Sequence, residues 1–105
     1  MADTSKVLEA IEIARNTGKI KKGANEVIKA LERGTAKLVA YAKDVTPAEV
    51  VMHLPLIAKE KNIPCIEIEK KDELGAAAGL SVSTSAVAII AEGEAKKLVE
   101  EIKGE

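Results

Sequence analysis

Residues 22–29 read Lys-Gly-Ala-Asn-Glu-Val-Ile-Lys and set an amide, a carboxylate and an ammonium within one turn of a predicted helix. Asn25 can donate and accept at once, which suits a purine edge. Glu26 only accepts. On a phosphate-binding surface a carboxylate is repelled by the nucleic-acid backbone. It has a use there if it accepts from base N–H groups such as guanine N1 and N2. Lys29, one turn on, can reach guanine O6 or N7. Gly23 has no Cβ and admits close backbone approach. The amides of Gly23, Ala24 and Asn25 would be orphan donors at a helix start, pointing outward to a phosphate or a base oxygen. Lys22, Arg33 and Lys37 could then hold phosphates. A plainer account uses the same residues. Asn25 caps the helix, Glu26 favours its dipole, and Glu26 with Lys29 forms an i, i+3 surface pair. The segment alone supports both.

The charge map bears on that choice. The net charge of the 105-residue chain is -1, but residues 15–43 carry +6 and the remainder -7. One third of the chain is a basic pole on an acidic body, as nucleic-acid binders require. There is no Phe or Trp, and Tyr41 is the one aromatic residue. A core must therefore be built from Ile, Val, Leu and Ala, and no aromatic row exists on which single-stranded bases could stack.

Enzyme and metal motifs are absent. The chain has no Gly-x-x-x-x-Gly-Lys-Ser/Thr loop, and Gly75 and Gly79 lack the spacing of a dinucleotide fingerprint. Those two glycines are expected to allow close helix–sheet approach. His53 has no Cys or His partner nearby, so no metal site or cofactor is expected. Cys65, between Pro64 and Ile66, reads as a buried, inert thiol. Glu67 and Glu69 read as the solvated face of an edge strand. A lone cysteine fits a reducing compartment, and neither a signal peptide nor a membrane-length apolar run is seen. The expectation is a cytoplasmic, non-enzymatic protein without membrane contact.

The elements that position these residues alternate. A first helix, capped by Thr4 or Ser5, carries Val7, Leu8, Ile11 and Ala14 and ends at Gly18. Residues 19–22 are extended. A second helix starts near Gly23 or Ala24, turns Val27, Ile28 and Leu31 inward and stops at Gly34. Lys37–Ala42 is a buried strand. Thr46 and Pro47 open a third helix, which Pro55 should kink or restart. Ile63–Ile68 is a strand, and Asp72 caps a short helix over Glu73–Gly79. Val87–Ile90 is the last strand, followed by a helix over Glu92–Ile102. Strands alternating with helices predict an α/β fold, a three-layer α-β-α sandwich around a small mixed four-stranded sheet, as one domain over residues 1–105.

Several stretches share one pattern: Gly23-Ala24-Asn25-Glu26-x-x-Lys29, Glu32-Arg33-Gly34-x-Ala36-Lys37-Leu38-Val39 and Ala42-x-Asp44-Val45-x-Pro47, then His53-Leu54-Pro55-Leu56, Lys61-Asn62-Ile63-Pro64 and Leu74-Gly75-x-Ala77-x-Gly79. In these the chain resembles the kink-turn RNA-binding ribosomal proteins, nearest their archaeal large-subunit branch (the "L-seven-Ae" type). The likeness runs from about Val7 to Ile102.

That resemblance implies binding to a sharply bent RNA helix whose asymmetric bulge adjoins tandem sheared G·A pairs. Asn25, Glu26 and Lys29 would read the exposed guanines. Gly23 and Ala24 would supply close backbone approach, and Lys22 and Arg33 phosphate contacts. Leu80, Ser81 and Val82 would lie in the loop that packs on the bulged nucleotides, with Leu80 and Val82 as its apolar contacts. The implied RNAs are 23S rRNA, box C/D and H/ACA guide RNAs and, in some lineages, RNase P RNA. Core proteins of those particles are the implied partners, and the free protein is expected to be a monomer. Ser81 and Ser83 depart from the acidic residue and proline of many archaeal members, and Ala24 replaces a common hydroxyl-bearing residue. The alternative is a protein-docking α/β module whose basic pole meets an acidic partner.

Overall fold

The apolar residues of the first helix, α1 (Thr4–Thr17), recur at Val7, Ala10, Ile11 and Ala14 and are all buried. This i, i+3, i+4, i+7 stripe is what packs a helix onto a sheet. The computed structural model describes residues 4–45 and 49–103. Thr4 and Ser5 are already helical, so neither holds the cap position expected of it.

The remaining elements are β1 (Lys19–Lys22), α2 (Ala24–Arg33), β2 (Leu38–Ala42), α3 (Glu49–Met52), α4 (Leu54–Glu60), β3 (Cys65–Ile68), α5 (Lys71–Ala77), β4 (Ala86–Ala91) and α6 (Lys96–Lys103). A 3-10 turn over Gly93–Ala95 leads into α6. It occupies the start of the helix expected from Glu92.

The sheet order is β1-β4-β2-β3. β4 runs antiparallel to both β1 and β2, and β2 runs parallel to β3, so the sheet is mixed as expected. Alternation along the central strands sorts the core into two layers. Leu38, Ala40, Ala42, Val87 and Ile89 pack with α1, α5 and α6. Val39, Ala86 and Ala88 pack with α2, α3 and α4 on the opposite face. The result is the three-layer sandwich read from the sequence, with an aliphatic core.

Several boundaries differ from expectation, each for a local reason. The third helix breaks at His53, and Pro55 lies in the first turn of α4. That turn needs no intrahelical amide donor, so proline fits there. The proposed start at Thr46 and Pro47 lies outside the described residues. β3 begins at Cys65 rather than Ile63, although the Pro64 carbonyl still accepts from the Val39 N–H at 2.9 Å. α5 begins at Lys71, so Asp72 sits inside its first turn instead of capping it. The capping acceptor is Asp44, whose Oδ1 takes the Lys71 N–H at 2.8 Å. Gly75 does not approach the sheet. A Cβ there would fall on the carbonyl oxygen of Val82 and 3.0 Å from Ser83 Cα, so the close packing is between α5 and the loop before β4. At Gly79 the neighbour is the Arg15 side chain, again not the sheet.

Candidate nucleic-acid interface

At the corner between β1 and α2 the backbone turns through Gly23 at φ 94°, a conformation that L side chains rarely adopt. The turn is fastened to the far end of the chain. The Gly23 N–H donates to the Ala86 carbonyl at 2.8 Å, and the Ala24 N–H donates to Ser85 Oγ at 3.2 Å. Two of the three amides expected to point outward are therefore spent on the start of β4. The Asn25 and Glu26 amides, in the first turn of α2, find no acceptor among the described residues and remain available. The Asn25 side chain makes no capping bond, so the plainer role considered for it is not realised.

Lys22, Gly23, Ala24, Asn25, Glu26 and Ser85 together line a shallow depression of about 570 Å³. The structure thus gathers five of the sequence-predicted residues in one place and adds a sixth, Ser85. A second, smaller groove of about 140 Å³ lies beside it, lined by Lys19, Lys21, Glu26, Lys29 and Arg33, with Ala30, Thr35 and Ile90. Glu26 borders both. The two concavities differ in chemistry: the first mixes neutral donors and acceptors with one charge of each sign, and the second collects four cations around one carboxylate.

Glu26 and Lys29 do form the i, i+3 pair, with Lys29 Nζ 3.8 Å from Glu26 Oε1. Their side chains are 49 % and 59 % exposed. Water and salt screen such a pair, so it restrains neither group strongly. Both are free to turn toward a ligand that offers better partners.

The predicted loop residues are distributed differently. Leu80 is half-buried and packs against the core under α1 and α5. Ser81 is exposed, and Val82 is 68 % exposed. They lead through buried Thr84, whose Oγ1 donates to the Ala86 carbonyl at 3.3 Å, into Ser85 at the depression. Lys37 is exposed and lines neither concavity. Sequence reasoning missed Ser85, which stands 61 positions from its partner and has no local signal. It also missed Lys19 and Lys21, whose i, i+2 spacing on a strand was the available clue.

Elsewhere the described residues hold little that could do chemistry. No group of three or more His, Cys, Asp or Glu among them could hold a metal ion. No helix among them is long and apolar enough to cross a membrane. Burial pushes the Cys65 thiol up to about 12, which keeps it protonated and unreactive near neutrality. The Tyr41 hydroxyl is also pushed up to about 12, by burial first and then by Glu67, whose carboxylate accepts its proton at 3.1 Å.

Comparison with known proteins identifies relatives of this chain. A family profile described as the ribosomal protein L7Ae/L30e/S12e/Gadd45 family matches residues 5–99. Among solved structures, the chain is similar to the Giardia lamblia 15.5kD RNA binding protein, at 37% identity and a TM-score of 0.91. The likeness covers 96% of this chain and 84% of that one.

Proposed function

Because the chain belongs to the ribosomal protein L7Ae/L30e/S12e/Gadd45 family, we propose that it is an RNA-binding protein of ribonucleoprotein particles that recognises kink-turn and kink-loop RNA. The observation that carries this is the depression where Asn25, Glu26 and Lys22 meet the glycine turn and Ser85. An A-form helix hides its base edges in a deep, narrow major groove. A kinked helix with tandem sheared G·A pairs exposes guanine edges there, and a carboxylate next to an amide matches their N–H and oxygen groups. The likeness to a protein described as RNA binding supports the same choice.

The chemistry is binding, with no bond made or broken. A kink-turn samples extended and bent forms. A protein that contacts only the bent form shifts the population by its differential affinity. Glu26 and Asn25 discriminate, Lys22 and Arg33 hold phosphates, and exposed Val82 meets the bulged nucleotides. One RNA-facing surface then serves the large ribosomal subunit and box C/D and H/ACA particles, because each target presents the same motif. In this proposal the protein is a monomer until RNA and core proteins assemble on it.

Replacing Glu26 with alanine tests the proposal. Binding to a synthetic kink-turn RNA should weaken about tenfold, since one base contact contributes on the order of 1–3 kcal/mol. Binding to the same RNA with its G·A pairs mutated should be unchanged or slightly tighter, as a repulsive charge is gone. Equal losses on both RNAs would remove Glu26 from base reading.

A further inference from the structure

Residues 80–84 join α5 to β4, and α5 holds them along its length. The Leu80 N–H donates to the Gly75 carbonyl at 2.9 Å and the Gly79 N–H to the Ala76 carbonyl at 3.0 Å, with Gly79 at φ 79°. This pair of bonds around a left-handed glycine reverses a chain at the end of a helix. Leu80 then packs into the core that Leu74 belongs to. The chain runs back to the start of α5, where the Thr84 N–H meets the Lys71 carbonyl at 3.4 Å. Midway it rests on buried Gly75, whose missing Cβ leaves room for the Val82 carbonyl and for Ser83 Cα. The loop is a strap laid over α5, tied at both ends and seated on bare helix backbone in the middle. It contains no proline. Its stiffness comes from α5 and not from its own sequence.

The seat decides what Val82 does. Its carbonyl faces α5, and the residue stays 68 % exposed, whereas Leu80 two positions earlier packs inward. A single exposed valine is ordinary on a protein surface. One held outward by a glycine seat on a neighbouring helix is a group set out for contact. The strap also ends on the support of the base-reading turn. Ser85 Oγ accepts the Ala24 N–H, and the Ala86 carbonyl accepts both the Gly23 N–H and the Thr84 hydroxyl. Val82 is therefore placed relative to Asn25 and Glu26 by a continuous run of backbone that α5 keeps in one shape.

We propose that Gly75 is a positioning residue for RNA binding. By seating the strap it pre-sets Val82 against the bulged nucleotides, so the loop is ordered when the protein folds and not when it binds. Ordering a contact loop in advance raises affinity without adding a contact. The inference rests on the function proposed above and gives a buried glycine, which touches no nucleotide, a share in recognising the bulge.

Gly75→Ala, Val82→Ala and the double variant test this by titration with two RNAs. One is a synthetic kink-turn, and the other is the same RNA with abasic sugars in place of the bulged nucleotides. Val82→Ala should lower affinity for the intact RNA about tenfold, the effect of two buried methyl-sized groups. Gly75→Ala should lower it about three- to tenfold, the effect of ordering one or two side chains at binding. The double variant should fall no further than the larger single loss, because a valine out of place has no contact left to lose. On the abasic RNA all four proteins should bind alike, which also reports that each is folded. Ser83→Gly loosens the strap without a clash inside α5. It should repeat the bulge-dependent loss and decides the matter if Gly75→Ala does not fold. No loss from Val82→Ala on the intact RNA, or none from both strap variants, would overturn the positioning role. So would equal losses on the two RNAs or additive losses in the double variant. Each of those results leaves the kink-turn function standing. Equal binding of the unaltered protein to a kink-turn and to its G·A-mutated duplex would instead overturn that function, and this inference with it.

Discussion

Ser85 holds α2 at its first amide, and that bond gives the hydroxyl a measurable role. Ser85→Ala leaves the Ala24 N–H without its acceptor at 3.2 Å. Losing a helix-start acceptor costs about 1 kcal/mol. The denaturant midpoint should fall accordingly, and Ser85→Thr, which keeps a hydroxyl, should recover most of it. Identical midpoints for all three proteins would show the bond to be inconsequential. Glu26 and Ser85 also mark what a sequence exposes. Glu26 was legible because its charge is out of place in a basic segment. Ser85 was not, because its meaning comes from a partner brought next to it by folding.

The same contrast appears between elements. α1, α2, β2 and β4 were legible from their aliphatic spacing, since burial on one face dictates period 3.6 or 2. The start of α5 was not, because its cap, Asp44, lies in the turn after β2. Nor was the reason for Gly75, which packs against the backbone of Val82 and Ser83. A methyl group there meets main chain that cannot rotate aside. Gly75→Ala should therefore destabilise by about 1–3 kcal/mol, the usual range for overpacking. The loop must shift to admit it, so cleavage within residues 80–84 by an added protease should accelerate. Ala76→Ser, at an exposed neighbouring position, should change neither property. Unchanged stability and cleavage in Gly75→Ala would mean that the loop moves freely without cost.

At the scale of the whole molecule, five cations of the basic third, Lys19, Lys21, Lys22, Lys29 and Arg33, line the concavities at the corner where β1 meets α2. RNA affinity should therefore be sensitive to salt while stability depends mainly on the aliphatic core. Alkali should act on two half-buried groups beside the core. Cys65 and Tyr41 both titrate near 12, above their ordinary values of 9.0 and 10.0, chiefly through burial. Above about pH 9 the unfolded chain binds fewer protons at these groups than the folded one, so stability falls as pH rises toward 12. Urea unfolding near pH 8 and near pH 10.5 should show the loss, and Cys65→Ala should make it shallower. A flat profile would show that their partial burial does not hold either proton. The strand order carries one more consequence. Among the described residues β4 is the last strand in sequence, yet it is the strand that pairs with β1, and it holds the start of α2. During synthesis, the surface proposed to meet RNA should therefore form only after residues 86–91 are free to pair with β1.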